Sequence, residues 1–247
     1  MSPDYSGYER LDSFTPQQLE AYRRMLLEKT KPQVEFIRRH VTWKYDAPSV
    51  FEIGCGNGRL LIGLEQAGLL RFGYGVDSSE SRIQFGNRWL HDLGSAYEAI
   101  SLWPANILEY VLEYEGDVDG YDLAVCITGC FQYFYPISPE APAKVLKFMR
   151  GARYALFELY RKPPMGRTWH KLPEADPWEY LLDEYEDVGD WVRHTKTFLG
   201  RDGKKDTRVE NLAYYEMPVF LGHLRRAGFN NVHWATQNST TMVVLVS

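Results

Sequence analysis

Cysteine is scarce in this chain: three residues in 247, at Cys55, Cys126 and Cys130. An odd, small set builds no disulfide framework and fits a reducing compartment, so a cytoplasmic protein is expected. Cys126 and Cys130 stand four positions apart with no ligand cluster near them, and no metal centre is expected. Long apolar runs are missing as well. The longest are strand-sized, which excludes a bilayer-spanning segment. The opening MSPDYSGYERLDSF lacks the charged start and apolar core of a signal peptide. Positive charge is not in excess, with 28 Lys and Arg against 33 Asp and Glu and a net charge of −5. That balance argues against a grip on a nucleic-acid backbone. Neither a nucleic-acid nor a membrane partner is expected, and the chain should act as a monomer or homodimer. No internal repeat or low-complexity stretch occurs.

What is present is an ordinary globular composition, 45 % hydrophobic and 25 % charged, in a length suited to one large α/β domain. Thr15-Pro16-Gln17-Gln18 opens a helix with an N-cap threonine, a first-turn proline and a third-position glutamine. Leu19, Tyr22 and Leu26 continue it, Pro32 interrupts, and Val34, Phe36 and Ile37 suggest a second short helix. Buried strands then read at Ser49–Ile53, Tyr74–Val76, Ala99–Leu102 (weaker), Tyr121–Thr128 and Tyr154–Leu159. Helices lie between them, one capped by Ser78 and one opened by Ser138-Pro139. This alternation implies a doubly wound, mostly parallel sheet. The rhythm breaks after Tyr160. Trp191–Leu199 and Thr207–Tyr214 read as two strands joined by the turn Gly200-Arg201-Asp202-Gly203. A helix at Pro218–Ala227 and strands at Val232–Ala235 and Met242–Val246 close the chain. The expected division is an N-terminal helical cap (1–45), a core (46–160 and 216–247) and an insert (161–215).

The chemistry starts at Phe51-Glu52-Ile53-Gly54-Cys55-Gly56-Asn57-Gly58, where strand, glycine turn and helix follow without a gap. Glycines let a backbone turn sharply and approach a ligand closely. A dinucleotide fingerprint needs another glycine three residues after the second, and Arg59 occupies that position. The pattern is E-x-G-x-G-x-G instead. Asp77 ends the second strand, where a carboxylate can accept both hydroxyl hydrogens of a ribose. Alone it could serve only as a helix cap. Its occurrence together with the loop, in this order, favours the ribose.

The glycine loop after an apolar strand, with Gly75-Val76-Asp77 downstream, resembles motif I and the acidic strand-two position of class I S-adenosylmethionine-dependent methyltransferases. The resemblance covers residues 49–160 and 217–247. It implies a seven-stranded sheet whose antiparallel last strand lies beside the sixth, with S-adenosylmethionine as cofactor. It also implies that Gly54, Gly56 and Gly58 lie against the methionine half, that Glu52 anchors the loop or the amino group, and that Asp77 holds the ribose, with Ser78 next to it in the cofactor site. The family's adenine-binding aspartate after strand three is replaced by Asn106, followed by Ile107. The Asn106 amide oxygen can still accept from the adenine amine. Thr128, after strand four, matches a backbone contact to the methionine moiety.

Methyl transfer from a sulfonium needs mainly alignment, plus a base where the acceptor is a hydroxyl. Ligands of such folds sit beyond the carboxyl ends of the strands. The candidates there are Glu158 and Tyr160 after strand five, Gln132 and its neighbours after strand four, and Trp169 and His170 in the insert that should roof the crevice. His170 is the candidate base, with Glu158 a second catalytic candidate. His194, His223 and His233 fall within regular elements and are not favoured. Residues 174–190 carry eight acids and no basic residue. They read either as an acidic, aromatic pocket for a cation or as the solvated face of a helix, and the second is the expectation. Tyr8 belongs to an N-terminal segment that could close over the site. The expected activity is therefore transfer of a methyl group to nitrogen or oxygen of a small-molecule acceptor. Its rivals are a nucleic-acid methyltransferase, which commonly carries D/N-P-P-Y/F where this chain has Thr128-Gly129-Cys130-Phe131, and a non-catalytic cofactor-binding protein. A dinucleotide oxidoreductase is disfavoured by Arg59.

Overall fold

The computed structural model describes residues 11–42, 47–113, 118–237 and 240–247. Helix α1 (Pro16–His40) opens them, and both halves of the Thr15–Gln18 capping box are formed. The expected break at Pro32 does not occur: α1 is one helix with the proline inside it. Its apolar face outweighs the lost hydrogen bond. Thr30 donates its hydroxyl to the Leu26 carbonyl. Tyr22, Leu26, Val34 and Ile37 are buried along the same helix. The first helix after the glycine loop, α2 (Arg59–Gln66), approaches α1 closely at Gly63, where a Cβ would stand 3.2 Å from Val34 and 3.4 Å from Thr30.

The core strands are β1 (Ser49–Ile53), β2 (Phe72–Asp77), β3 (Ile100–Pro104), β4 (Leu123–Cys126) and β5 (Tyr154–Tyr160). Between them lie α2, α3 (Glu80–Leu93), α4 (Ile107–Glu113), the short α5 (Phe134–Ile137) and α6 (Ala141–Met149). After an insert, α7 (Met217–Arg226), β10 (Val232–Gln237) and β11 (Thr241–Val246) complete the sheet in the order β10-β11-β5-β4-β1-β2-β3. The first five strands pair in parallel, and β11 is antiparallel to both β5 and β10. This is the doubly wound sheet expected, with the last strand inserted beside the sixth.

Hydrophobic layers cover both faces. Phe51, Phe131, Phe157 and Phe220 centre one, and Val50, Leu60, Leu61 and Trp89 the other. Full burial of a side chain such as Phe131 stabilises the fold by about 1.5–3 kcal/mol. Period-two alternation along β1 puts Phe51 and Ile53 on the first face and Val50 on the second. Glu52 therefore shares the second face, beside α2. Among the described residues no helix is long and apolar enough to cross a membrane.

Element ends shift where local signals compete. Strand β4 stops at Cys126, short of Thr128, because Thr128 and Gly129 take positive φ and turn the chain. Ser79, not Ser78, caps α3, since Ser78 is still in the bend after β2. Ser138 caps only a turn, and α6 begins at Ala141.

The insert forms its own antiparallel sheet, β6 (Gly166–Lys171), β7 (Tyr180–Asp187), β8 (Val192–Leu199) and β9 (Lys205–Leu212). Two strands were expected and four are found. The acidic run 174–190 is no helix. Its second half is β7, whose half-buried Glu184 and exposed Glu186 and Asp187 pair with Arg167, Arg193 and Lys162 on neighbouring segments. Cross-strand pairing thus offsets the like charge that makes the run look solvated.

Candidate active site

The glycine loop crosses the carboxyl end of the sheet between β1 and α2. The Gly54 and Cys55 amides both donate to the Val76 carbonyl, at 2.8 and 3.0 Å, and tie the loop to β2. Gly54, Gly56 and Gly58 have φ of +69°, +57° and +73°, a region costly for other residues. Their surroundings differ. A Cβ on Gly54 would lie 2.3 Å from Cys130 Sγ, and one on Gly58 2.7 Å from Leu102 Cδ1. These two glycines serve internal packing. At Gly56 the nearest atom is Arg82 Cδ at 3.8 Å, an ordinary contact, so of the three only this glycine leaves room for a Cβ without a clash.

Asp77 is 9 % exposed and holds that loop directly. Its Oδ2 accepts from the Gly56 amide and its Oδ1 from the Ser79 amide, each at 2.8 Å. Each carboxylate oxygen keeps a further lone pair for a ligand hydroxyl. Ser78 is exposed beside it. Strand β3 ends abreast of Asp77, with the Ala105 amide donating to the Asp77 carbonyl. That brings Asn106 and Ile107 to the same rim. Asn106 is exposed and caps α4: its Oδ1 accepts from the Leu108 amide and its Nδ2 donates to Glu109.

Glu52 is 3 % exposed, and its Oε2 is buried without a hydrogen-bond partner. Burial raises its carboxyl to about 8, Arg59 pulls against that, and Asp77 adds to it. The loop thus begins at a carboxyl that water no longer stabilises.

On the other side of β1 the turn after β4 meets the end of β5. Thr128, with φ of +53°, donates its amide to Glu158 Oε2 at 2.9 Å. Gln33 of α1 reaches the same carboxylate at 3.3 Å. Glu158 therefore holds a strained turn and links the helical cap to the crevice. Gln132 is fully buried. Its amide accepts from the Tyr160 amide and donates to the carbonyls of Tyr160 and Ala213, clamping three segments together. The Tyr160 ring lies over Gly129, where a Cβ would be 2.5 Å away. Burial, and then Glu158, push the Tyr160 phenol up to about 12.

The insert places a polar network above this edge, and its main members were not singled out in the sequence. Register aligns Tyr185, His194 and Glu210 across β7, β8 and β9, with Asp183 and Lys196 two residues along. His194 is 5 % exposed and its Nε2 lies 2.7 Å from Asp183 Oδ1. Tyr185 stacks on the imidazole at 4.2 Å. Glu210 accepts from Lys196 at 2.6 Å and from the Tyr133 hydroxyl at 2.7 Å. Burial opposes the Glu210 charge, but Lys196, Tyr133 and His194 outweigh it and hold the carboxyl below its usual range. Burial raises the phenols of Tyr133, Tyr185 and Tyr214, and the neighbouring charges and phenols raise them further on balance. Tyr133 follows the β4 turn, so this network adjoins the glycine-loop side of the crevice.

His170 sits on edge strand β6 with its side chain 48 % exposed, and its Nε2 is 3.1 Å from Asp183 Oδ2. It joins the network at its outer end. Trp169, its neighbour, points to the opposite face of the sheet and is 59 % exposed, away from the loop. Tyr8 lies outside the described residues. The signal for the missed residues was present as alternation: Asp183-x-Tyr185 and His194-x-Lys196 each line one face of a strand. Sequence alone does not say which strands pair or which face turns inward.

No protein-family model matches the chain, and no curated protein matches it. Solved structures do. The CcbJ methyltransferase of Streptomyces caelestis is similar with a TM-score of 0.67 and 12 % identity, over 88 % of each chain. CalS10 from Micromonospora echinaspora, an amino pentose methyltransferase of calicheamicin biosynthesis solved with SAM bound, is similar with a TM-score of 0.67 and 12 % identity, over 95 % of this chain and 98 % of that one. DesVI of Streptomyces venezuelae gives 0.66 and 13 %, over 89 % and 91 %. The fold of this chain is thus that of these methyltransferases. At such identities the chemistry has to be argued from the residues.

Proposed function

We propose that the chain transfers a methyl group from S-adenosylmethionine to a nitrogen or oxygen of a small molecule held between the glycine loop and the insert. One observation carries the reading: a buried Glu52 carboxyl with an unpartnered oxygen stands at the head of a loop whose middle glycine, unlike its two neighbours, is not packed against the protein's own side chains closer than 3.8 Å. A ligand ammonium is the group that would satisfy that oxygen. Asp77 has lone pairs left for a ribose, and the Asn106 amide oxygen can accept a second hydrogen bond from an adenine amine. These residues fit the cofactor. When bound, it supplies a methyl group on a positively charged sulfur, open to in-line displacement by a lone pair.

The chain's own contribution is alignment and proton handling. Tyr160 and the inward face of the insert, with Tyr133, Tyr185 and Tyr214, wall the acceptor side and keep water out. The His194–Asp183–His170 series offers a place for the acceptor's proton and a way from the interior to the surface. The net charge of −5 and the likeness to an amino pentose methyltransferase support a small acceptor over a nucleic acid. Three free cysteines and no disulfide among the described residues support a reducing, cytoplasmic setting.

Calorimetry with S-adenosylhomocysteine and with NAD tests the cofactor. Binding of the first and not the second is expected. Release of S-adenosylhomocysteine from S-adenosylmethionine, assayed over a panel of small amines and alcohols, then tests the transfer. Binding of NAD alone would sink the reading. Cofactor binding with no turnover of any panel member would favour a non-catalytic binder.

A further inference from the structure

Gln132 answers a problem set where β4 leaves the sheet. Strand β4 pairs with β5 only as far as Cys126 opposite Phe157, and the chain then turns away at Thr128 and Gly129. Strand β5 runs on to Tyr160, so the Tyr160 N–H and C=O on that side have no strand to pair with. The Gln132 carboxamide takes the strand's place. Its Oε1 accepts from the Tyr160 amide at 2.7 Å and its Nε2 donates to the Tyr160 carbonyl at 3.1 Å, the bonds a peptide unit would make.

The second hydrogen of Nε2 goes to the Ala213 carbonyl at 3.0 Å, and the Gln132 backbone carbonyl accepts from the Ala213 amide at 2.9 Å. Tyr160 is the last residue of β5, before the insert, and Ala213 follows the insert's final strand, β9. One residue thus bonds both the entry and the exit of the insert, by side chain and by backbone. Gln132 is fully buried and both of its amide hydrogens are spent. It cannot reach an acceptor, which corrects the expectation that it binds one. Yet it lies close to the crevice, in the turn Cys130–Tyr133. The Cys130 thiol packs against Gly54 of the glycine loop, and the Tyr133 hydroxyl reaches Glu210 on β9.

We infer that Gln132 is a positioning residue, which fixes the insert, and with it the acceptor wall, in register with the glycine loop. This rests on the reading of the loop as the methyl-donor site and of the insert as the acceptor wall, and adds the residue that aligns one with the other. Filling the space needs no amide. Joining three backbone segments in one geometry does, because a fully satisfied buried polar group specifies a single arrangement. In-line displacement depends on such alignment, since a misplacement of about 1 Å can cost about 100-fold in rate.

Two measurements test it. In wild type, hydrogen exchange followed by NMR should find the Tyr160 and Ala213 amides within about 100-fold of the Val125 amide inside β4. Faster exchange of either overturns the inference without recourse to any variant. Gln132→Met keeps the length of the side chain and removes its amide. Its affinity for S-adenosylhomocysteine, by calorimetry, should stay within about threefold of wild type. Its kcat/KM for whichever small amine or alcohol wild type methylates should fall about 10- to 100-fold. Gln132→Glu keeps the acceptor for the Tyr160 amide and, when ionised, lacks both donors. It should behave likewise, and it serves where the methionine variant does not fold. Parallel loss of S-adenosylhomocysteine affinity and turnover, as for a residue that only stabilises the fold, overturns the inference. So does turnover kept within about threefold of wild type. Failure of wild type to bind S-adenosylhomocysteine, or to methylate any acceptor, overturns the functional reading beneath it, a separate outcome.

Discussion

The imidazole of His194 and the carboxylate of Asp183 face each other across β7 and β8 at 2.7 Å, both nearly closed off from water, while the second Asp183 oxygen reaches the exposed His170 at 3.1 Å. One carboxylate therefore serves a buried histidine and a surface one. Their contributions to stability should differ. Removing a buried hydrogen bond to a charged group costs about 1.5–3 kcal/mol. An exposed ion pair contributes about 0–1 kcal/mol. Urea denaturation of His194→Ala should show the larger loss and His170→Ala the smaller, with binding of S-adenosylhomocysteine kept in both. Equal losses would mean that the surface pair is as strongly held as the buried one.

Asp77 joins the loop to β2, which changes what its removal does. Asp77→Ala deletes the acceptors for the Gly56 and Ser79 amides as well as those for a ribose. The expected result is a fall in stability of about 1.5–3 kcal/mol together with a similar loss of binding free energy for S-adenosylhomocysteine. Denaturation of the free protein and calorimetry at a temperature where the variant is folded separate the two. A variant that loses stability but binds normally would leave Asp77 as a tether of the loop alone.

How far the sequence led follows from where the determining contacts are. The loop from Phe51 to Gly58 and the carboxylate at Asp77 were legible because their signals are local: strand, glycine spacing, strand end. The succession of core strands and helices, and so the doubly wound sheet, was legible from the same alternation, while the place of the last strand came from the family resemblance. Pro32 misled because its effect is decided by α1 packing on Gly63 and its neighbours, contacts thirty residues away in the chain. The acidic run at 174–190 misled because the partners of its charges, Arg167, Arg193 and Lys162, lie on other segments. His194 was set aside for sitting in a strand, yet strand alternation is what turns it inward beside Asp183 and Glu210.

Glu52 gives stability a slope with pH. Its carboxyl titrates near 4.5 in the unfolded chain and near 8 when buried. Between those values the folded state keeps a proton that the unfolded state has lost. Its contribution is fully present below about 4.5 and is lost as pH rises to about 8. The slope in that window is at most about 1.4 kcal/mol per pH unit. Glu52→Gln should flatten it, gaining on wild type as pH rises. Binding should also release a proton. At pH 7 a ligand ammonium would favour the ionised carboxylate, so the calorimetric heat for S-adenosylhomocysteine should vary with the ionisation enthalpy of the buffer in wild type and not in Glu52→Gln. Heat that is the same in every buffer would show that the ligand does not meet this carboxyl.

Gly54 and Gly56 differ in what lies above them, and substitutions should separate folding from binding. An alanine at Gly54 would drive its Cβ to 2.3 Å from Cys130 Sγ at a φ of +69°. Gly54→Ala is expected to be strongly destabilised, because both the thiol and the turn would have to move. An alanine at Gly56 meets nothing closer than 3.8 Å. It carries only the strain of a left-handed conformation, about 1–2 kcal/mol. Gly56→Ala should therefore fold, and thermal melting should place it a few degrees below wild type. If the space above Gly56 belongs to the cofactor, the added methyl group occupies it, and the rise in melting temperature produced by S-adenosylhomocysteine should shrink or vanish. Gly56→Val, larger and β-branched, should abolish the rise at a greater cost in stability. A folded Gly56→Ala protein whose melting rises with the ligand as far as wild type would show that the cofactor does not lie against Gly56.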